Sequence, residues 1–196
     1  MKIKRLIGGN LESNGYILYA QGTPFSYIID PGYLPQRFLK ELSSAGLKLE
    51  GILLTHHHYD HVGAVDVIAK TTGCPVYLHR GDCDMYGGPV TNMLSHGDSL
   101  PFSEEEIRVL HTPGHTKGSV CFYCEKSKVC FTGDTIFDVD LGRTDLKDGS
   151  EWEMRESVRS IIDLWGNDIT IYPGHGDPAT MKYVRKYNRE FLELLK

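Results

Sequence analysis

Apolar residues occur along the chain in short runs, and the length and spacing of each run predict a strand or a helix. Eight runs are rich in β-branched and aromatic residues and are bounded by turn residues, as strands are; they cover residues 16–19, 25–29, 52–55, 76–79, 107–111, 120–124, 129–132 and 169–172. The first two are separated only by Gln-Gly-Thr-Pro, so we expect them to form a hairpin.

Four further segments place apolar residues at helical spacing, and they cover residues 35–45, 61–71, 150–164 and 178–195. Ser150 is a predicted N-cap, with Glu151 and Glu153 in the first turn, where the helix dipole favours acidic groups. No repeat or linker divides the chain, so we expect one domain over residues 1–196. Strand-rich halves that each end in helices predict an α/β fold with two packed sheets and helices outside.

The composition is that of a chain that folds around its own core. Of 196 residues, 40% are hydrophobic and 24% are charged, so disulfides are not needed for stability. The net charge of -5 lacks the positive surface that nucleic acid binding requires, so no nucleic acid partner is expected. The basic start has no apolar signal-peptide stretch after it, and no segment is long enough to cross a bilayer. We therefore expect a cytoplasmic protein with no membrane partner, and the oligomeric state stays open.

The five cysteines are irregularly spaced, which favours reduced thiols over a disulfide framework. Cys121 and Cys124 form a CxxC pair inside a predicted strand. Residues three apart on a strand point to opposite faces. We therefore interpret this pair as partly buried structural residues and not as metal ligands.

The segment with the strongest chemical signal follows the predicted strand that ends at Thr55. It reads His-His-His-Tyr-Asp-His from residue 56 to residue 61, an HxHxDH pattern. On an extended stretch His56, His58 and Asp60 project to one side, and His61, at the start of a helix, turns back toward the same point. Imidazole and carboxylate ligands in this arrangement suit zinc or iron. The two residues in between, at positions 57 and 59, are expected to point away.

Three other predicted strands end in a glycine beside a ligand-type residue. These are Pro-Gly-His115, Thr-Gly-Asp134 and Pro-Gly-His175. Neighbouring strand ends gather a site in an α/β layer, and glycine lets the backbone approach it closely. The complete set is too large for one tetrahedral ion and suits two: His56, His58, Asp60, His61, His115, Asp134 and His175. Asp134 is the candidate bridge, because it comes from a separate strand and offers two carboxylate oxygens.

These motifs resemble the metallo-β-lactamase superfamily and, within it, the glyoxalase II-like (hydroxyacylglutathione hydrolase-like) enzymes. Residues 29–32, Ile-Asp-Pro-Gly, and 142–146, Gly-Arg-Thr-Asp-Leu, also match, the second being similar to a loop of the short, single-domain members. The resemblance implies a four-layer αββα sandwich with two divalent metal ions at one edge, zinc being favoured and iron or manganese being alternatives.

The resemblance also implies how the ligands divide. One ion would take His56, His58 and His115, and the other Asp60, His61 and His175, with Asp134 bridging them. Asp30 would support a ligand from behind without touching an ion.

The implied activity is hydrolysis of a small-molecule thioester. A hydroxide held between the ions attacks the thioester carbonyl, with Asp60 and Asp134 as the catalytic carboxylates. Arg143 is a candidate for binding a substrate carboxylate. The positions at which glutathione-binding members carry lysine and tyrosine are occupied by Arg143, Asp145 and Asp177. The acyl group and the thiol carrier therefore stay open.

Other readings of the same residues are a lactonase or small-ester hydrolase of this fold and a metal-stabilised binding module. A persulfide dioxygenase of this fold would use a single iron on His56, His115 and Asp134. A true β-lactamase is disfavoured, because that branch generally carries cysteine where Asp134 stands.

Overall fold

The computed structural model describes residues 1–196, and its strands form two six-stranded sheets. The first sheet contains, in spatial order, β1 (Lys2–Gly8), β2 (Ser13–Tyr19), β3 (Phe25–Ile29), β4 (Lys48–Leu53), β5 (Val76–His79) and β6 (Asn92–Leu94). Strands β1 to β3 pair antiparallel, and β3 to β6 pair parallel. The pairing of β2 with β3 confirms the predicted hairpin.

The second sheet contains β7 (Ser99–Phe102), β8 (Glu105–His111), β9 (Val120–Cys124), β10 (Val129–Gly133), β11 (Thr170–Pro173) and β12 (Ala179–Thr180). Its spatial order is β12-β11-β10-β9-β8-β7, and only β10 and β11 pair parallel. Strands β8, β10 and β11 therefore run in one direction and end at the same edge. That edge carries the candidate site.

Six helices accompany the sheets: α1 (Pro35–Ser44), α2 (Tyr59–Val62), α3 (Val65–Thr72), α4 (Glu151–Ser160), α5 (Met181–Tyr187) and α6 (Arg189–Leu194). Three apolar clusters separate the layers. Alternate residues of β2 show this, since Tyr16 and Leu18 belong to the cluster between the sheets and Ile17 to the cluster beneath α1 and α3. A third cluster lies between the second sheet and α4 to α6. The predicted four-layer αββα sandwich is confirmed.

The cysteine pair on β9 lies on two faces of the second sheet, as predicted. Cys124 belongs to the cluster between the sheets, and Cys121 to the cluster under the helices. The prediction that they are partly buried is wrong, because both are fully buried. A strand with helices on one side and a sheet on the other leaves no face for solvent.

The predicted helix over residues 61–71 is two helices, and the first begins at Tyr59. The break follows Gly63. There the N–H of Ala64 donates to the carbonyl of Pro31 at 2.9 Å, and not to a carbonyl one helical turn earlier. The loop after β3, which contains Pro31, thus packs against Ala64 and interrupts the helix there.

The predicted helix over residues 178–195 is also interrupted. It contains β12, α5 and α6, and Asn188 has extended backbone angles between the two helices. The Asn188 side chain accepts from the N–H of Phe191 at 2.9 Å, which makes it the N-cap of α6. The predicted helix over residues 150–164 ends at Ser160 and continues as a 3₁₀ turn, Ile162–Leu164. Its predicted cap is confirmed, because Ser150 Oγ accepts from the N–H of Glu153.

The sequence pattern did not predict β1, β6, β7 or β12. Each of these strands is at an edge of its sheet. None of the six helices is both long and apolar enough to cross a membrane.

Candidate metal centre

The seven predicted ligands meet at the edge where β4, β8, β10 and β11 end. The loop after β4 and helix α2 supply four of them, and the segments after β8, β10 and β11 supply one each: His56, His58, Asp60 and His61, then His115, Asp134 and His175. Strand direction explains this convergence, because the carboxyl ends of strands that run the same way share one edge.

The path of the chain through the HxHxDH segment differs from the predicted one. Asp60 lies in the first turn of α2 and not on an extended stretch, because the helix begins at Tyr59. His58 keeps extended backbone angles, and the N–H of His61 donates to its carbonyl at 2.9 Å. This turn still delivers Asp60 and His61 to the ligand cluster.

Three groups of three residues have ligating atoms that lie within 4.8 Å of one another; two consist of predicted ligands, and the third joins Asp30 to His56 and His61. The first ligand set is His56, His58 and His115, and the second ligand set is Asp60, His61 and His175. In the first set, His58 Nδ1 lies 2.9 Å from His115 Nε2. In the second, His175 Nε2 lies 3.2 Å from Asp60 Oδ2. The geometry produces the same division that the family resemblance implies.

Asp134 lies between the two sets. Its Oδ2 is 3.6 Å from His115 Nε2 and 3.5 Å from His175 Nε2, and its Oδ1 is 3.4 Å from His61 Nε2. This close packing requires glycine at position 174, where a Cβ would lie 2.1 Å from Asp134 Oδ1 and 2.6 Å from His61 Cε1. One carboxylate therefore reaches both sets.

Unpaired buried atoms show that these residues fit metal ions. His56 Nε2 and Asp134 Oδ1 are buried and have no hydrogen-bond partner. A buried polar atom without a partner costs about 1–3 kcal/mol, and a bound cation removes that cost. The chemistry of the set, imidazole with carboxylate, is that of zinc and iron sites.

Asp30 supports the histidines from behind, as the resemblance implies. It lies within ligand distance of His56 and His61, but its oxygens are already engaged. Oδ1 accepts from the N–H of Thr55 at 2.8 Å, and Oδ2 accepts from the Thr55 hydroxyl at 2.5 Å. That hydroxyl lies 3.0 Å from His56 Nδ1, and Oδ2 lies 3.3 Å from His61 Nδ1, longer than an ordinary hydrogen bond. Asp30 therefore orients the His56 ring through Thr55, and its carboxyl group lies beside the His61 ring.

Backbone carbonyls hold the rings of His115 and His175. His115 Nδ1 donates to the carbonyl of Arg143 at 2.8 Å, and His175 Nδ1 donates to the carbonyl of Leu11 at 2.9 Å. A ring that donates through Nδ1 presents the unprotonated Nε2 to a metal. These contacts fix the tautomers that ligation requires.

The electrostatic state of the centre differs between the two sets. Burial lowers the pKa of every ring in the first set, that of His58 to about 4. Burial raises the pKa of Asp60 and of Asp134, yet the neighbouring His61 and His175 hold both carboxyls below their usual range. Burial opposes a charge on His175, but the same two carboxylates raise its pKa to about 9. The first set is thus neutral at pH 7, and in the second set a metal must displace protons from imidazole.

Sequence reasoning missed a buried carboxylate that joins the segments carrying the first ligand set. Asp82 Oδ2 accepts from the N–H of His57 at 3.0 Å and from the Thr116 hydroxyl at 2.8 Å. Its Oδ1 accepts from the N–H of Gly118. The His57 ring lies against the same carboxylate, away from the ligand sets as predicted. No sequence motif marks Asp82, because its partners come from distant segments.

A cavity of about 640 Å³ adjoins the ligands and includes Asp60 and Asp134 in its walls. Arg143 also lines it, but its guanidinium makes two hydrogen bonds to Asp145, at 2.7 and 2.9 Å. Binding of a substrate carboxylate by Arg143 stays a prediction.

The family profile of the metallo-β-lactamase superfamily matches residues 9–175. The chain belongs to this superfamily. It shares with it a His/Asp cluster that can hold metal.

Two solved structures overlay on almost the whole chain. The BLEG-1 B3 metallo-β-lactamase has a TM-score of 0.90 at 30% identity, over 96% of this chain and 98% of that one. The di-iron-bound form of TTHA1623 has a TM-score of 0.85 at 30% identity, over 95% and 98%.

A hydroxyacylglutathione hydrolase from Rhodospirillum rubrum is 34% identical over 160 residues. The match covers 82% of this chain and 60% of that enzyme. The resemblance to the glyoxalase II-like branch is thereby confirmed. Because that enzyme is longer than this chain, its activity is not assigned to this chain by the match alone.

Proposed function

We propose that the protein is a dinuclear metallohydrolase, with zinc as the favoured metal, that cleaves a small thioester. The observation that carries the proposal is the position of Asp134, whose carboxylate lies 3.4–3.6 Å from ring nitrogens of both ligand sets. A lone structural zinc would use four ligands and close its coordination. Seven ligands around a shared carboxylate, opening on a cavity, favour a catalytic pair.

Two divalent ions held in this centre would supply hydroxide at neutral pH and would polarise a carbonyl oxygen. The protein supplies neutral imidazole nitrogens through His56, His58 and His115, which burial keeps unprotonated. Asp134 and Asp60 stay ionised and border the cavity. Asp60 Oδ2, 3.2 Å from His175 Nε2, would hold the second ion together with His61 and His175.

A thioester is favoured because its leaving group is a good one. A thiolate departs without a proton, so no general acid is needed. Apart from the ligands, the cavity wall contains no lysine and no histidine, and its one tyrosine is Tyr59. The R. rubrum relative, named for hydrolysis of a glutathione thioester, supports the same class. Glutathione itself does not carry over, because Arg143 is engaged by Asp145.

Two other activities, β-lactam hydrolysis and persulfide oxidation, are tested alongside thioester hydrolysis. The likeness to BLEG-1 supports a trial of β-lactams, and the di-iron form of TTHA1623 supports a trial of iron. A mononuclear iron dioxygenase would need only His56, His115 and Asp134. It would leave the second ligand set without a purpose.

The test uses protein loaded with zinc or with iron. A panel of acyl thioesters is assayed by thiol release, a β-lactam by ring opening, and a persulfide by oxygen consumption. We expect thioester hydrolysis to exceed the other two, and to be lost in Asp134→Ala but kept in Glu106→Gln, an exposed residue of β8 outside the cavity. Oxygen consumption without thiol release would overturn the proposal.

A further inference from the structure

The walls of the cavity beside the ligands are largely apolar. Leu11, Tyr59, Phe137, Leu141 and Leu146 line it, from segments before β2 and after β4 and β10. Burial of apolar surface here is worth roughly 25 cal/mol per Å² to a bound group. The cavity therefore suits a substrate with an apolar body.

The charged side chains of the wall, apart from the ligands, are Asp138, Asp140 and Arg143. The Arg143 guanidinium is held by both oxygens of Asp145, a bidentate arrangement that uses one edge of its planar fork. A second cation, Arg5, lies near the rim but pairs with Asp177 at 2.9 Å and donates to the carbonyl of Gly176. Neither Asp138 nor Asp140 forms an ion pair with a cationic side chain, whereas both arginines are paired with other aspartates.

The loop that carries these two carboxylates is fixed in place. Ile136 and Leu141 form an isolated β-bridge, and the N–H of Phe137 donates to the carbonyl of Asp140 at 2.9 Å. The buried Asn188 donates to the same Asp140 carbonyl at 2.8 Å. Gly142, which follows Leu141, packs on the backbone of Asp134. A Cβ at position 142 would lie 1.6 Å from the carbonyl oxygen of Asp134. The backbone that carries Asp138 and Asp140 is thus fixed beside the candidate metal centre.

We propose that this cavity selects thioesters by the charge of the thiol carrier, in the order cationic, then uncharged, then anionic. The inference rests on the proposed function, since it names the substrate class of the same site. Two unbalanced carboxylates at the rim attract a cation and repel an anion, each by roughly fivefold at moderate salt. The preference therefore weakens as salt is added.

The experiment compares thioesters that share a butanoyl group and differ in the carrier: thiocholine, N-acetylcysteamine and 3-mercaptopropionate. The quaternary amine of thiocholine avoids acyl migration from sulfur to nitrogen. For the metal-loaded enzyme, each kcat/KM is divided by the rate constant for hydrolysis of the same thioester by hydroxide, which removes intrinsic reactivity. We expect the corrected value for thiocholine to exceed that for mercaptopropionate by at least about tenfold.

Two variants and a control assign this preference to the named residues. The double variant Asp138→Asn with Asp140→Asn removes both fivefold effects and should reduce the thiocholine-to-mercaptopropionate ratio by roughly 25-fold. Asp145→Asn frees the Arg143 guanidinium, so this variant should raise kcat/KM for the mercaptopropionate thioester. Glu106→Gln removes a negative charge at the far end of β8 and should leave the ratio at its wild-type value.

A binding measurement separates this inference from the proposed function. Thioethers of the three carriers, with a methylene in place of the carbonyl, are titrated into the metal-loaded protein. If no thioester is hydrolysed but the thioethers bind in the expected order, the proposed function fails and the charge selectivity stands. A wild-type preference for the anionic carrier in binding, or a ratio that the double variant does not change, overturns the inference.

Discussion

The side-chain amide of Asn14 donates to the carbonyl oxygen of Gly176 at 2.8 Å, across the interface between the two sheets. The same amide donates to the carbonyl of Pro173 at 3.0 Å, and the Asn14 N–H donates to that of Gly174 at 2.7 Å. One residue of β2 thus holds the loop on both sides of His175. The position of a second-set ligand depends on a residue of the other sheet.

Replacing Asn14 with alanine should weaken metal binding at the second ligand set. The change removes one of the two side-chain donors to each carbonyl, since Gly176 also accepts from Arg5 and Pro173 from the Tyr16 hydroxyl. Loss of these two hydrogen bonds costs about 1–3 kcal/mol of stability and lets His175 move. Chelator competition with zinc should show two affinities in the wild type, of which one falls in Asn14→Ala and the other persists. Asn92→Ala, at an exposed position of β6, is the control. Two unchanged affinities would show that Asn14 does not position His175.

Replacing Asp30 with asparagine should weaken binding at both sets. Asparagine offers one acceptor in place of two, so either the N–H or the hydroxyl of Thr55 loses its partner, and the group beside His61 becomes an uncharged amide. Loss of such a supporting carboxylate typically lowers metal affinity about 10–100-fold. The same chelator competition measures it, with the exposed Asp168→Asn as the control. An effect on only one ion would contradict the central place assigned to Asp30.

Asp82 gives the protein a pH-dependent stability. Burial raises the pKa of this carboxyl, but its contact with His57 and its hydrogen bonds from Thr116 and Gly118 hold it below the ordinary 3.8. Because the folded-state pKa is the lower one, the stabilisation is complete above about pH 4 and is lost as the pH falls through the folded value.

The variant Asp82→Asn should therefore be less stable than the wild type by about 2–4 kcal/mol at pH 7, with a smaller difference at pH 3. Urea unfolding in the presence of a chelator measures this without a contribution from metal release. Asp84→Asn, an exposed neighbour, should match the wild type at both pH values. A difference that grows toward acid would refute the role of Asp82.

The strands that the sequence predicted and those that it missed differ in one physical respect. The eight predicted strands are internal and carry apolar residues for one or two buried faces. The four missed strands are the edges of the sheets, where polar residues and proline discourage pairing with other chains. Edge strand β1 alternates exposed lysines with partly buried residues, and β7 contains Pro101. Apolar patterning has little signal there.

The ligand residues were predictable because their types and spacing are chemically specific. Among the residues that support them, Asp30 was named through the family resemblance, whereas Asp82 and Asn188 were not, because they act on segments far away in the chain. Asn188 did carry a local signal, as an N-cap residue three positions before Phe191 in an otherwise continuous helical pattern. Asn14, a buried polar residue at the start of an apolar strand, carried another.

In the proposed centre, Asp134 would join two metal ions. Elemental analysis of protein expressed with both zinc and iron supplied measures this most directly, in the wild type and in Asp134→Ala. We expect about two equivalents of zinc per chain in the wild type and a clear loss in the variant. About one equivalent of iron per chain, or a variant that keeps both ions, would contradict the dinuclear centre.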